Sequence, residues 1–122
     1  MNPGDVVDLV MELESEVNNG GLHQFFYNSS GDSTSDTINA LESIGATVFA
    51  DILRRAASKF PGNMPPRDTM QRRALMQEKL PRADVFRDLD KEFLAYPEDL
   101  SGLIAAYKRQ FPNVAFRARE EI

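Results

Sequence analysis

Apolar residues recur every three or four positions along most of this chain, which is the spacing of helices that bury one face. The first such stretch, residues 5–18, is expected to bury Val6, Leu9, Val10, Leu13 and Val17. Asp5 is the expected N-cap of this helix, and the run Asn18-Asn19-Gly20-Gly21 is expected to end it. The chain is therefore predicted to begin with an amphipathic helix.

The same periodicity predicts six further helical stretches, separated by turns rich in glycine, proline and small polar residues. The first three are a short turn with Leu22, Phe25 and Phe26, a helix capped by Thr34 or Ser35 with Ile38, Leu41 and Ile44, and a helix from Thr47 that buries Val48, Phe49, Ile52, Leu53, Ala56 and Phe60. The last three are a helix capped by Asp68 that runs to about Lys79, one over about 84–95 with Phe86, Leu89 and Phe93, and one from Pro97 with Leu100, Leu103, Ile104, Tyr107 and Phe111.

Alternation of apolar and polar residues, the mark of strands, is missing from this pattern. The fold class predicted is all-α, a compact bundle of about six or seven short helices without a substantial sheet. The length of 122 residues is that of one domain, so residues 1–122 are expected to form a single unit. Residues 112–122 follow a proline, and either a short strand or a frayed tail would suit them.

Composition excludes several classes of protein. The chain has no cysteine, which rules out disulfides, thiolate-held zinc and cysteine nucleophiles. The sequence contains neither a secretory signal nor an apolar run of the ~18 residues that a membrane span needs. A cytoplasmic protein without a membrane partner is the expectation.

Charge is distributed unevenly. Residues 1–53 contain nine acidic residues and no lysine or arginine, whereas residues 54–122 contain ten acidic and fourteen basic residues. Direct binding of nucleic acid through the first half is disfavoured, because neutralising phosphates requires basic side chains. A basic partner, or simply an acidic surface, fits this distribution.

Catalytic motifs are not recognisable. His23 is the single histidine, and no nucleophile, metal-binding spacing or phosphate loop accompanies it. No catalytic residue, metal site or cofactor is therefore predicted. An enzyme remains an alternative only if Glu16, His23, Gln24 and Asn28 converge in a pocket.

The first helix carries the sharper feature. At about 100° per residue, Asp5, Asp8, Glu12 and Glu16 fall in one narrow sector. Successive acids lie ~5–6 Å apart along the axis, whereas one DNA strand has a phosphate every ~3.4 Å. Acids elsewhere, or a second subunit in a homodimer, would have to complete a DNA-like field. The acidic residues predicted to bind a partner are Asp5, Asp8, Glu12, Glu16, Asp32, Asp36, Glu42 and Asp51.

Residues 16–31 are dense in amides, glycines and aromatics, which is typical of a corner between helices. In this corner Gln24 and Asn28, one helical turn apart, could bond to each other. The segment resembles the signature of the DMP-type DNA-mimic protein family, long catalogued as a domain of unknown function. The matching residues, expected to be mainly structural, are Glu16, Asn18, Asn19, Gly20, Gly21, Gln24, Phe25, Phe26, Asn28, Ser29 and Gly31.

The resemblance covers roughly residues 10–110. It implies a helical bacterial cytoplasmic domain without catalytic residues, and a protein that presents carboxylates in place of DNA phosphates to sequester a basic, DNA-binding protein such as a transcriptional regulator. The main alternative is an immunity or adaptor protein that binds its partner by shape and apolar contacts, for which an exposed apolar patch would be the sign.

Overall fold

Six α-helices follow one another in chain order, and the computed structural model describes residues 1–117. The helices are α1 (Pro3–Tyr27), α2 (Thr34–Ser43), α3 (Thr47–Ala57), α4 (Thr69–Lys79), α5 (Arg87–Leu94) and α6 (Leu100–Arg109). Short 3₁₀ turns at Ser29–Ser33, Pro61–Asn63 and Ala83–Phe86 lie between them. No strand occurs in the described residues, so the predicted all-α fold is confirmed.

Helix α1 contacts α2, α4 and α5, and its apolar face forms the centre of the core. Val6, Val10, Leu13 and Val17 are buried as the periodicity predicts, whereas Leu9 is only half-buried. The predicted N-cap was wrong: Asn2 caps the helix by accepting a hydrogen bond from the backbone N–H of Asp5. Pro3 occupies the first turn, where its missing N–H costs nothing.

Every helix contributes to one cluster of buried apolar side chains. Phe26 lies at its centre, with ring contacts to Phe25, Phe60 and Phe86 at 5.0–5.3 Å between centroids. The end of α1 and the segments on both sides of α4 are thereby packed against one another. The described part of the chain contains no helix long and apolar enough to cross a membrane.

Three local predictions need correction. Val48, expected in the core, lies in the first turn of α3 and is 42% exposed. Helix α2 begins at Thr34 itself, after the Ser29–Ser33 turn, with Ser33 at the N-cap. Helix α6 begins at Leu100, where Asp99 accepts from the N–H of Gly102, and not at Pro97.

The capping residue of α4 was predicted correctly, since Asp68 accepts from the N–H of Gln71 at 2.8 Å. After α6, residues 111–117 form neither helix nor strand. Phe116 nevertheless packs against the core, with Lys108 Nζ 5.5 Å from the centre of its ring. The rest of the predicted tail, residues 118–122, lies outside the described residues.

Candidate functional site

Six of the eight predicted partner-binding acids lie on one side of the molecule. Asp5, Asp8 and Asp36 line a shallow hollow of about 300 Å³ together with Met1 and Leu9. Because α2 packs along α1, Asp36 comes next to the N-terminal half of α1 even though some thirty residues separate them in sequence.

Glu12 continues this side of α1 and is surrounded by carboxylates. Its pKa is raised above its usual range, first by partial burial and then by the negative charges of Glu16, Asp8 and Asp32. Three separate carboxylates contribute to the raised pKa of Glu12, so each of them lies close enough to repel the Glu12 carboxylate. We call this surface the acidic face; it consists of Asp5, Asp8, Glu12, Glu16, Asp32 and Asp36.

Basic residues compensate part of the acidic face. Arg72 Nη2 donates to Asp32 Oδ1 at 2.7 Å, and the Thr69 hydroxyl donates to the same oxygen at 2.6 Å. These bonds, that of Thr69 first, hold the pKa of Asp32 below its usual range. Arg67 lies 3.4 Å from Asp36.

The outer edge of α1 has little compensation. Arg117, largely exposed, reaches only to 4.0 Å from Asp8. Within residues 1–117 no lysine or arginine forms an ion pair with Asp5 or Glu12. Of the other four carboxylates of the acidic face, Asp8 has only Arg117 at 4.0 Å, and the remaining three form no ion pair with a lysine or arginine among residues 1–117.

The two remaining predicted acids do not belong to this face. Glu42 is paired with Arg54, and Asp51 accepts from Arg55 Nε at 3.0 Å. Arg55 also donates two hydrogen bonds to Glu92, at 2.7 and 3.0 Å, and this pairing lowers the pKa of Glu92. The arginines that follow residue 53 therefore neutralise Glu42 and Asp51, which residues 1–53, without lysine or arginine, could not reveal.

Glu16 belongs both to the acidic face and to the corner formed by residues 16–31. Its Oε2 accepts hydrogen bonds from Gln24 Nε2 and Asn28 Nδ2, each at 3.0 Å. Gln24 in turn accepts from Asn19 Nδ2 at 3.2 Å. The sequence suggested that Gln24 and Asn28 could bond to each other. Both donate instead to Glu16, because a carboxylate is a stronger hydrogen-bond acceptor than an amide carbonyl.

The glycine pair breaks α1 at this corner. Gly20 and Gly21 have non-helical backbone angles, and Gly21 combines φ 75° with ψ −178°, a conformation that only glycine adopts readily. Leu22 then donates its backbone N–H to Asp90 Oδ1 at 2.8 Å. A Cβ on Gly21 would lie 2.7 Å from Asp90 Oδ2, so the glycine allows α5 to close onto the break.

The C-terminal side of the corner is held by Arg72, whose side chain is completely buried. Its guanidinium donates to five oxygens at 2.6–3.0 Å, namely the backbone carbonyls of Phe26, Asn28, Pro66 and Arg67 and the carboxylate of Asp32. A Cβ on Gly31 would lie 2.6 Å from Arg72 Nε. The glycine of the signature therefore makes room for this arginine.

Other signature residues have equally local roles. Asn18 donates to the backbone carbonyl of Glu14 at 2.8 Å, Phe25 and Phe26 lie in the core, and the Ser30 hydroxyl donates to the carbonyl of Phe25 at 2.7 Å. Ser29 is exposed at the start of the 3₁₀ turn. The bonds of Asn18 and Ser30 are thus to carbonyls of α1 itself, whereas Arg72 and Asp90 join the corner to α4 and α5.

A second hollow, of about 390 Å³, opens beside the corner and is lined by Gly20, His23, Gln24, Tyr27 and Asn28. The His23 ring stacks on Tyr27 with 6.1 Å between centroids and an interplanar angle of 11°. The residues of the enzyme alternative thus do come together, but as a hydrogen-bonded carboxylate with two amides. The lining of this hollow contains no carboxylate and no serine, threonine or cysteine nucleophile, and no group of potential metal ligands occurs in the described part of the chain.

Four residues that determine the site carried no clear signal in the sequence. Arg72 and Asp90 lie on α4 and α5, far along the chain from the corner that they hold. Glu14 is buried, and its carboxylate accepts from the hydroxyl of Tyr96 at 2.8 Å. The available sequence signal was that Glu14 lies among the apolar positions of α1, where a buried carboxylate needs a hydrogen-bond donor.

One comparison with known proteins identifies the family of the chain. The model of a protein family described as DMP19-like protein matches residues 5–111, so the chain belongs to this family. No curated protein and no solved structure matches the chain.

Proposed function

Because the chain is a member of the DMP19-like protein family, we propose that it is a non-enzymatic binding protein whose acidic face occupies the DNA-binding surface of a basic partner. The partner would be a DNA-binding protein such as a transcriptional regulator. Binding would be competitive with DNA, since both ligands offer negative charge to the same basic side chains.

The observation that carries this proposal is the crowding of carboxylates around Glu12. Partial burial and then three of these carboxylates raise the pKa of Glu12, and among residues 1–117 only Arg117, 4.0 Å from Asp8, comes within ion-pair distance of the outer edge of α1. Like-charged pairs four residues apart in a helix cost a few tenths of a kcal/mol each. A partner that supplies positive charge would remove this cost, so the arrangement favours binding.

The carboxylates of the whole acidic face also match the charge spacing of a phosphate backbone more closely than the carboxylates of α1 alone. Along α1 the carboxylates follow one another every ~5–6 Å, which is sparser than the ~3.4 Å between phosphates of one strand. Asp32 and Asp36 add a second row beside α1, one from the 3₁₀ turn and one from α2. Together the two rows form a band of charge along the edge between α1 and α2.

The proposal can be tested by displacement. The immobilised chain is incubated with a nuclease-treated bacterial lysate, and bound proteins are eluted either with duplex DNA or with a salt gradient. We expect basic proteins that DNA elutes and that are lost as the salt concentration rises, because exposed charges are screened within about 10 Å at 0.1 M salt.

Matched double variants identify the surface responsible. Asp8→Asn with Glu12→Gln removes two charges from the acidic face, whereas Glu78→Gln with Asp88→Asn removes two exposed charges from α4 and α5. The first variant should lose the DNA-eluted proteins and the second should retain them. Equal retention by both variants, or proteins that duplex DNA fails to elute, would contradict the proposal.

A second candidate function, that of an adaptor binding by apolar contact, is favoured by one observation. Tyr96 is 39% exposed, and its ring lies 6.0 and 6.3 Å from the rings of Phe49 and Phe93. Val48 and Leu94, the neighbours in sequence of those two phenylalanines, are also exposed apolar side chains. Retention of a partner at high salt, and its loss in Leu94→Ser, would favour this function over DNA mimicry.

A further inference from the structure

The hollow beside the signature corner contains hydrogen-bonding groups that the fold does not use. Asn28 Nδ2 donates to Glu16, and a planar amide then directs its carbonyl oxygen Oδ1 away from that carboxylate. Among residues 1–117, no donor bonds to Asn28 Oδ1 or to either ring nitrogen of His23. The hollow therefore offers acceptors whose directions are already fixed.

Negative charge lies behind these acceptors. The Glu16 carboxylate accepts a hydrogen bond from each of the two lining amides. Arg73, on α4, is already engaged, since its Nε donates to the Tyr27 carbonyl and its guanidinium lies 4.7 Å from the centre of the Tyr27 ring. The hollow is thus suited to a positively charged donor.

The shape of the lining distinguishes between the two basic side chains. The His23 ring is stacked beside Tyr27, and Arg73 lies over the Tyr27 ring, so His23 is an aromatic lining residue of the hollow without a cation over it in the described chain. A planar guanidinium can stack on such a ring while donating N–H groups in its own plane, whereas an ammonium group cannot. About 390 Å³ is ample for one side-chain head group.

We propose that the hollow lined by Gly20, His23, Gln24, Tyr27 and Asn28 binds the guanidinium of an arginine side chain presented by a polypeptide partner. The guanidinium donates to Asn28 Oδ1, stacks on His23 and faces the charge of Glu16. The assignment of the arginine to a polypeptide rests on the proposed function, because the acidic face ends at Glu16, where the hollow begins. The hollow then adds a specific contact to an otherwise diffuse electrostatic surface.

The test is an NMR titration of the ¹⁵N-labelled chain with N-acetyl-arginine amide, with N-acetyl-lysine amide and sodium chloride as parallel arms. We expect saturable shifts of the Gly20, His23 and Asn28 backbone amides with a millimolar Kd, weaker binding of the lysine compound, and no saturable shifts with the salt. Shifts centred on Asp5, Asp8 and Glu12 in place of the hollow, or equal binding of the lysine compound, would overturn the proposal.

Two variants and one control make the outcome specific. Glu16→Gln keeps an acceptor oxygen for the two amides but removes the charge, and should weaken arginine binding about tenfold. His23→Leu keeps an apolar side chain against Tyr27 and should abolish the preference for arginine over lysine. Glu12→Gln removes a charge one helical turn away and should leave the Kd nearly unchanged; a tenfold loss there would overturn the proposal.

Folding of each variant is checked by the dispersion of its spectrum and by thermal unfolding. The titration uses no protein partner, so its result is independent of the displacement assay. If arginine binds the hollow but DNA elutes no protein from the immobilised chain, the proposed function is refuted and the arginine site is supported. If DNA elutes proteins but arginine does not bind the hollow, the arginine site is refuted and the proposed function is supported.

Discussion

The outer edge of α1 and the signature corner contain the same kind of side chain in opposite circumstances. Glu12, at the edge, has carboxylates as its charged neighbours, and its pKa is raised by burial and by their repulsion. Asp32, at the corner, accepts from Thr69 and Arg72, and its pKa is lowered. The comparison separates carboxylates that stabilise the fold from carboxylates whose charge is left for a partner.

Glu16 lies at the boundary between these two regions. It repels Glu12 as the other edge residues do, yet its Oε2 is held by two amide donors of the corner. A carboxylate with neutral donors keeps its negative charge while its position is fixed. At Glu16 the negatively charged edge of α1 therefore meets the corner, where hydrogen bonds fix the positions of the side chains.

The largest effect is expected from Arg72, the cation that holds the corner. Arg72→Met would leave four carbonyls and the Asp32 carboxylate without their donor, and should lower the free energy of unfolding by about 3–5 kcal/mol. Urea unfolding followed by circular dichroism measures this change. Arg87→Met, in an exposed position, should change the stability by less than about 0.5 kcal/mol; a loss below about 1 kcal/mol for Arg72→Met would show that the corner does not depend on it.

The glycine break should have the next largest effect. Gly21 and Gly62 have nearly the same φ, 75° and 76°, but an added Cβ meets Asp90 at Gly21 and nothing within 4 Å at Gly62. Gly21 also has the extended ψ of −178° that side chains avoid, whereas Gly62 has ψ 8°. We expect Gly21→Ala to cost about 2–3 kcal/mol and Gly62→Ala about 1 kcal/mol.

Thermal and urea unfolding of the two alanine variants measure this difference. Introducing Asp90→Asn into Gly21→Ala should recover little stability, because the amide is as large as the carboxylate and the strained backbone persists. Equal costs at Gly21 and Gly62 would mean that contact with α5 does not constrain the break.

The smallest effects are expected to have opposite signs at pH 7. Glu12→Gln removes a charge that the folded state disfavours, and should raise the stability by a few tenths of a kcal/mol. Asp32→Asn weakens a charge that the folded state favours, and should lower it by about 1 kcal/mol. Both variants are compared with the parent by urea unfolding across pH.

The pH dependence follows from the two shifts. The raised pKa of Glu12 means that the folded state binds its proton more tightly, so the benefit of Glu12→Gln is present above the folded pKa and disappears as the pH falls below 4.5. The lowered pKa of Asp32 means that its contribution is complete above 3.8 and is lost as the pH falls further. Two variants with the same sign at pH 7 would remove the distinction between edge and corner.

Local patterns in the sequence were sufficient for the helices. The periodicity located all six, and the Asp68 cap and the glycine break were predicted because both depend on neighbours within a few residues. The errors at Asp5 and Pro97 are shifts of a few residues at helix starts, where several polar residues compete for the cap. The start of α3 at Thr47 was predicted correctly, and only the burial of Val48 was wrong.

The pairing of charges could not be predicted in this way. Arg54 and Arg55 neutralise Glu42 and Asp51, and Arg72 reaches Asp32 across forty residues, so each pairing depends on how helices pack. Counting charges along residues 1–53 therefore overstated the acidic surface. Among the edge residues, Asp5 and Glu12 form no ion pair with a basic residue of the described chain, and Asp8 has only Arg117 at 4.0 Å.

The most direct test of the distinction between edge and corner is a ¹³C NMR titration of the side-chain carboxyls of the folded chain. Glu12 should titrate above its usual 4.5 and return towards that value in Asp8→Asn, while Asp32 should titrate below its usual 3.8. A Glu12 pKa at or below 4.5 would require a cation beside it, and would contradict an uncompensated acidic face.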